Sequence, residues 1–111
     1  MEINLTSTGN AHLVEIVGRI DALNNLKTEE FFNQITENQH LDIIVDCQKL
    51  DFINSSGLRV LIMSLKKAKK ASKQLILCNL QKNIKEVFVY SGFDKLFDTN
   101  LDKEQALTLV D

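Results

Sequence analysis

The apolar period changes between residues 41 and 80, and that change limits this chain to a small set of folds. Residues 41-LDIIVDC-47 are a short β-branched run suited to a buried strand. The pattern then switches. Leu58, Leu61, Ile62 and Leu65 recur at i, i+3, i+4 and i+7, which places them on one face of a helix running from about Ser56 to Ala71. Residues 74-QLILCNL-80 return to the composition of a buried strand. A strand, a long helix and another apolar strand make a βαβ unit, so the two strands are expected to be parallel with a right-handed crossover.

The flanking segments extend this unit. Residues 2–7 alternate weakly through Ile3 and Leu5 and read as an edge strand, and 11–17 alternate better and should stop at Gly18. With 8-TGN-10 between them, the two runs predict an antiparallel hairpin. In 24-NNLKTEEFFNQITEN-38, Leu26, Phe31 or Phe32, and Ile35 fall near helical spacing, with Asn24 or Asn25 as the N-cap. One of the two rings in 29-EEFF-32 is expected in the core, the other facing solvent. Further on, Ile84, Val87, Phe88 and Tyr90 mark a helix over 81–91 that Gly92 ends. Phe93, Leu96 and Phe97 read as core plugs, and a last helix spans about 102–110. The predicted order is β-β-α-β-α-β-α-(β)-α, an α/β fold with a mixed sheet of four to five strands and about four helices.

Composition excludes several functions. The chain has 111 residues, 44% of them hydrophobic and 25% charged, which suits one soluble domain over 1–111 with a single core. No linker, repeat or proline interrupts it. The segment 1-MEINLTSTGN-10 has neither a basic nor an apolar signal region, and no apolar run nears the roughly 20 residues that span a bilayer. A cytoplasmic protein without membrane association is expected. The net charge of −2 supplies no general attraction to nucleic acid. The five lysines of 66-KKAKKASK-73 read as a solvated helix end that complements the helix dipole, with the steering of an acidic partner as a secondary role. Cys47 and Cys78 lie in apolar runs and read as small buried thiols, although a disulfide stays open. His12, His40, Cys47 and Cys78 have none of the close spacings of a metal site, so neither a metal nor a cofactor is expected.

The segment 52-FINSSGLRVL-61 is different in kind. It puts Asn54, Ser55, Ser56 and Gly57 between a strand-like run and a helix, outside the carboxyl end of a strand, where α/β sheets gather ligands and partners. Asn54 suits the turn, and Ser55 or Ser56 can cap the helix. A cap needs one hydroxyl, and here there are two plus a glycine. No G-x-S-x-G and no P-loop is present, and neither histidine has a claim as a base, so an enzyme is disfavoured. The remaining functional reading is a serine that is itself modified.

At this point a family resemblance becomes visible. The segment 51-DFINSSGLRVLI-62 resembles the phosphorylation motif of the STAS-domain anti-sigma factor antagonists, D-S-[ST]-G at the head of a helix. The segment 18-GRIDALN-24 resembles their G-x-[LI]-D loop, 43-IIVDCQKLDFI-53 their strand and lead-in, and 91-SGFDKLFD-98 their terminal turn and aromatic plug. The resemblance implies that Ser55 is the phosphorylated serine, with Ser56 as second candidate, Gly57 the first-turn glycine and Asp21 the aspartate beside the phosphoacceptor. Asn54 stands where the family usually has aspartate, which removes a negative charge next to Ser55. Arg59, one turn into the helix, is placed to touch a partner or to pair with Asp21. The implied partners are an anti-sigma serine kinase that also holds a sigma factor and a phosphatase that resets Ser55; the protein itself is expected to be a monomer or weak dimer. The alternative is an unphosphorylated STAS scaffold in a transport or sensory assembly.

Overall fold

The computed structural model describes residues 1–37 and 39–110. Strands β1 (Glu2–Thr8) and β2 (Ala11–Ile20) form the expected antiparallel hairpin, with Leu5 opposite Val14 and Gly9 turning the chain at φ 56°. Helix α1 (Asn25–Thr36) leads to β3 (Asp42–Asp46) and β4 (Leu50–Ile53). Helix α2 (Ser55–Lys70), β5 (Leu75–Cys78), α3 (Lys82–Ser91), a 3₁₀ turn over Phe93–Lys95 and α4 (Lys103–Thr108) complete the chain. The sheet has five strands in the order β1-β2-β3-β5, with β4 paired to β2 off that path.

The βαβ unit forms as its pattern demands. β3 and β5 are parallel neighbours, with Ile43 opposite Leu75 and Asp46 opposite Cys78. Alternation along β3 splits the core: Ile43 and Val45 join the large cluster under α1, α2 and α3, while Ile44 turns to the other face and packs with Ala11, Ile76, Cys78 and Ala106 under α4. On α2 the buried stripe Leu58, Leu61, Ile62, Leu65 is widened by Val60, Ser64 and Ala68. Lys67, Lys69 and Lys70 occupy its last turn, where cations suit the dipole.

Several expectations fail for identifiable reasons. β2 does not stop at Gly18; it runs on to Ile20, because Gly18 takes φ 101° and lets the register shift at a bulge between Gly18 and Arg19. β2 also changes partner along its length: Ala11–Glu15 pair with β3 and Gly18–Ile20 with β4, so the bulge falls within the β4-paired stretch. The additional strand is thus Leu50–Ile53, before α2, rather than a strand following α3. Leu26 is 68% exposed, since α1 buries Thr28, Phe32 and Thr36, a stripe on which residue 26 does not lie. Phe32 is the buried ring of its pair, and Phe31 packs half-buried against it edge to face. Asn38, the end of the predicted first helix, lies outside the described residues; the helix itself ends at Thr36. Phe97 plugs the core against Phe88, and Phe93 packs at its edge, but Leu96 is 44% exposed. Tyr90 points into solvent from α3.

Both thiols are free and buried, and they face different clusters, Cys47 the large one and Cys78 the smaller. Burial pushes the Cys47 thiol up, and pushes Cys78 up to about 12, with Asp46 adding to the effect. Such protonated thiols are inert packing groups.

Candidate functional site

The serine turn is placed by β4. Ile20 and Ile53 are the last paired residues of β2 and β4, so Asp21 and Asn54 leave the sheet side by side. Asn54 N–H donates to the Ile20 carbonyl at 3.0 Å, which fixes the turn against the loop that carries Asp21.

The capping expectation needs correction. Neither Ser55 nor Ser56 caps α2. Asn54 does so, with φ −91° and ψ 177°, its Oδ1 accepting from Gly57 N–H at 2.9 Å. Ser55 and Ser56 are the first two helical residues, both exposed, and among the described residues their hydroxyls enter no hydrogen bond. Asparagine thereby satisfies one of the free N–H groups of the helix and leaves both hydroxyls unengaged. Gly57 is required by packing: a Cβ there would stand 2.6 Å from Ile20 Cγ2 and 2.8 Å from Ile53 Cγ1.

Asp21 is held by its own loop. Its Oδ1 accepts from Leu23 N–H at 3.1 Å, and its Oδ2 lies 3.7 Å from Arg19 Nε. The expected Arg59–Asp21 pair is not formed. Arg19 takes that position, and its guanidinium also stacks 4.3 Å over the centre of the Phe52 ring. Arg59 instead stands on the ridge between two clefts. One, of about 480 Å³, is lined by Ser55, Arg59, Ile62, Met63 and Phe93 among others; the second, of about 510 Å³ between α1 and α2, includes Asn25, Leu26, Ser56, Arg59 and Met63. Ser55, Ser56 and Arg59 therefore do come together, whereas Asp21 leaves the sheet beside Asn54 and lines neither cleft.

Sequence reasoning missed three contributors. Asn25, read as a candidate cap, makes two side-chain bonds to Asn54. Arg19 pairs with Asp21. Leu23, 95% exposed, adds apolar surface beside the site together with Met63. An exposed leucine between a motif aspartate and two asparagines was the available signal for Leu23. Of the other polar candidates, His12 is tied to Ser7 at 3.0 Å, and among the described residues no three His, Cys, Asp or Glu side chains converge on a metal position. No helix among them is long and apolar enough to cross a membrane.

Residues 2–106 match the STAS domain family model. The chain belongs to the STAS-domain family. It is 36% identical over 64 residues to BtrV of Bordetella bronchiseptica, to which the role of anti-sigma factor antagonist is ascribed. That match takes in 58% of this chain and 55% of the relative, so the chain spans about half the length of the curated relative it matches. Among solved structures, an anti-sigma factor antagonist from Mycobacterium paratuberculosis superposes with a TM-score of 0.85 at 19% identity, over 98% of this chain and 92% of the other. The unphosphorylated antagonist SpoIIAA superposes with a TM-score of 0.80 at 18% identity, over 96% and 93%. At these identities the two structures establish the STAS fold.

Proposed function

We propose that this STAS domain, taken as residues 1–111, is an anti-sigma factor antagonist, switched off by phosphorylation of Ser55. In its unmodified form it binds an anti-sigma factor of the serine-kinase type and so frees a sigma factor; a phosphatase resets it. The observation that carries the reading is the unengaged, exposed Ser55 hydroxyl on the first turn of a helix that another residue caps. The contact surface is Asp21, Asn54, Ser56, Gly57 and Arg59 around it. The ascribed role of BtrV supports the class of partner.

Ser55 Oγ attacks the γ-phosphorus of ATP bound to the kinase. The O–P bond forms as the bond from γ-phosphorus to the bridging oxygen breaks, ADP leaves, and the hydroxyl proton passes to a base on the kinase. The phosphate adds about −1.5 to −2 charge. At a helix N-terminus this is tolerated by the fold, since the dipole favours an anion there by about 0.3–2 kcal/mol. Binding responds differently. A swing from mostly bound to mostly free requires about 5.5 kcal/mol of differential affinity. Burying an ill-paired dianion in an interface supplies several kcal/mol of that, and the Asp21 carboxylate adds repulsion that Arg19 only partly offsets. Exclusion at the surface suffices without refolding.

The test is peptide mass analysis of the protein after incubation with ATP and extract of its native host, alongside Ser55→Ala. Phosphate on residue 55, absent from the Ala variant, is expected, and Ser55→Asp should bind the host's anti-sigma kinase much more weakly than Ser55→Ala. A serine that stays unmodified in every growth phase would point to the constitutive scaffold instead.

A further inference from the structure

Asn25 opens α1 and Asn54 caps α2, and their side-chain amides face each other. Asn25 Nδ2 donates to Asn54 Oδ1 at 3.0 Å, and Asn54 Nδ2 donates to Asn25 Oδ1 at 2.9 Å. Two bonds of opposite sense need an amide on both sides, since a carboxylate has no donor. Asn54 Oδ1 takes a further bond from Gly57 N–H, so the same atom serves the helix cap and the pair.

Replacing Asn54 by aspartate would keep the cap. It would also set a carboxylate oxygen against Asn25 Oδ1, and rotating the Asn25 amide would only exchange which oxygen is opposed. Residue 25 therefore decides what residue 54 can be, and with it the charge next to Ser55. The residue before Asn25 is fixed to the Asp21 loop. Asn24 accepts from Asp21 N–H at 3.0 Å and donates to the Arg19 carbonyl at 2.7 Å. The first turn of α2 also packs closely on the core, since even a Cβ at residue 57 would collide with Ile20 and Ile53.

We propose that Asn25 is the positioning and specificity residue of the serine turn. Through the amide pair it orients Asn54 and keeps the position before Ser55 uncharged. The turn is thereby matched to a modifying enzyme and partner that contact a neutral amide there and carry no cation for a carboxylate. This inference rests on the proposed role of Ser55.

Wild type, Asn25→Ala, Asn54→Asp and the double variant are each incubated with native-host extract and ATP. The rate of phosphate appearance on residue 55 is read beside Tm and the hydrogen exchange of the Gly57 amide. Each single variant should be modified about tenfold more slowly, as misplacement of a reacting group predicts, while Tm stays within a few degrees of wild type. The double variant should lose no more than the slower single, because both changes break one pair. Modification of Asn54→Asp at the wild-type rate, or losses that multiply in the double variant, would overturn the proposal. If the wild type acquires no phosphate, the role of Ser55 fails and the specificity claim with it. The positioning claim is then judged by exchange: selective acceleration at Gly57 in Asn25→Ala upholds it, and unchanged exchange refutes it.

Discussion

Two of the strand-to-helix junctions at the carboxyl end of the sheet are built for different ends. At the junction of β4 and α2, Asn54 caps the helix with its side chain and is held in turn by Asn25. At the junction of β5 and α3, Gln81 stands at the N-cap and makes no capping bond. Its Nε2 donates instead to the Gln48 carbonyl at 2.9 Å and to Asp51 Oδ1 at 3.3 Å, while Asn83 Nδ2 donates to the Asp51 carbonyl at 2.8 Å. The second junction uses its polar side chains to splice α3 to the start of β4. The first spends its polar atoms on holding a short turn still, and the Ser55 and Ser56 hydroxyls are left over. Equivalent places in a fold thus diverge into a fastening and a display.

The contrast can be broken most forcefully at Gly57. A branched side chain there collides with Ile20 and Ile53, both buried, so Gly57→Val should cost about 3 kcal/mol in urea unfolding. A loss near zero would mean the turn has slack and that its geometry is not imposed by the core. A smaller effect separates the two caps. Asn54→Ala removes a cap and orphans the Asn25 amide, and should cost about 1.5 kcal/mol. Gln81→Ala removes only exposed bonds and should cost about 0.5 kcal/mol. Equal losses would erase the distinction. The least effect concerns the display itself. Ser55→Asp should raise stability by about 0.5 kcal/mol at low salt, through the helix dipole, and the gain should shrink as salt is added. Destabilisation by Ser55→Asp would show that the residue is packed rather than presented.

Much of this was readable along the chain. The period switch at residues 41–80 located β3, α2 and β5, because burying one stripe of a helix and both faces of a strand leaves marks at fixed spacing. The S-S-G junction was legible as a hydroxyl-rich turn at the head of α2, since its composition exceeded what a cap requires. Which residue caps was not, because Asn, Ser and Thr are near-equal in propensity and the choice falls to the neighbour that completes the bonding. β4 was hidden because its exposed middle residues, Asp51 and Phe52, resemble a loop. The exposure of Leu26 and Leu96 was hidden too, since a leucine near helical spacing carries no record of which helix face meets the sheet.

By itself, then, the order of residues determined the alternation of strands and helices, the buried stripe of α2, and the presence of a hydroxyl-rich turn at its head. Those are local properties, set by periods of two and 3.6 and by the chemistry of single side chains. Only the tertiary structure decided that β2 switches partner at Gly18, that Arg19 rather than Arg59 answers Asp21, and that Asn25 reaches Asn54 across 29 positions of chain. Each of these is a contact between distant segments, and its partner is chosen by which backbones the packed sheet brings within hydrogen-bond reach.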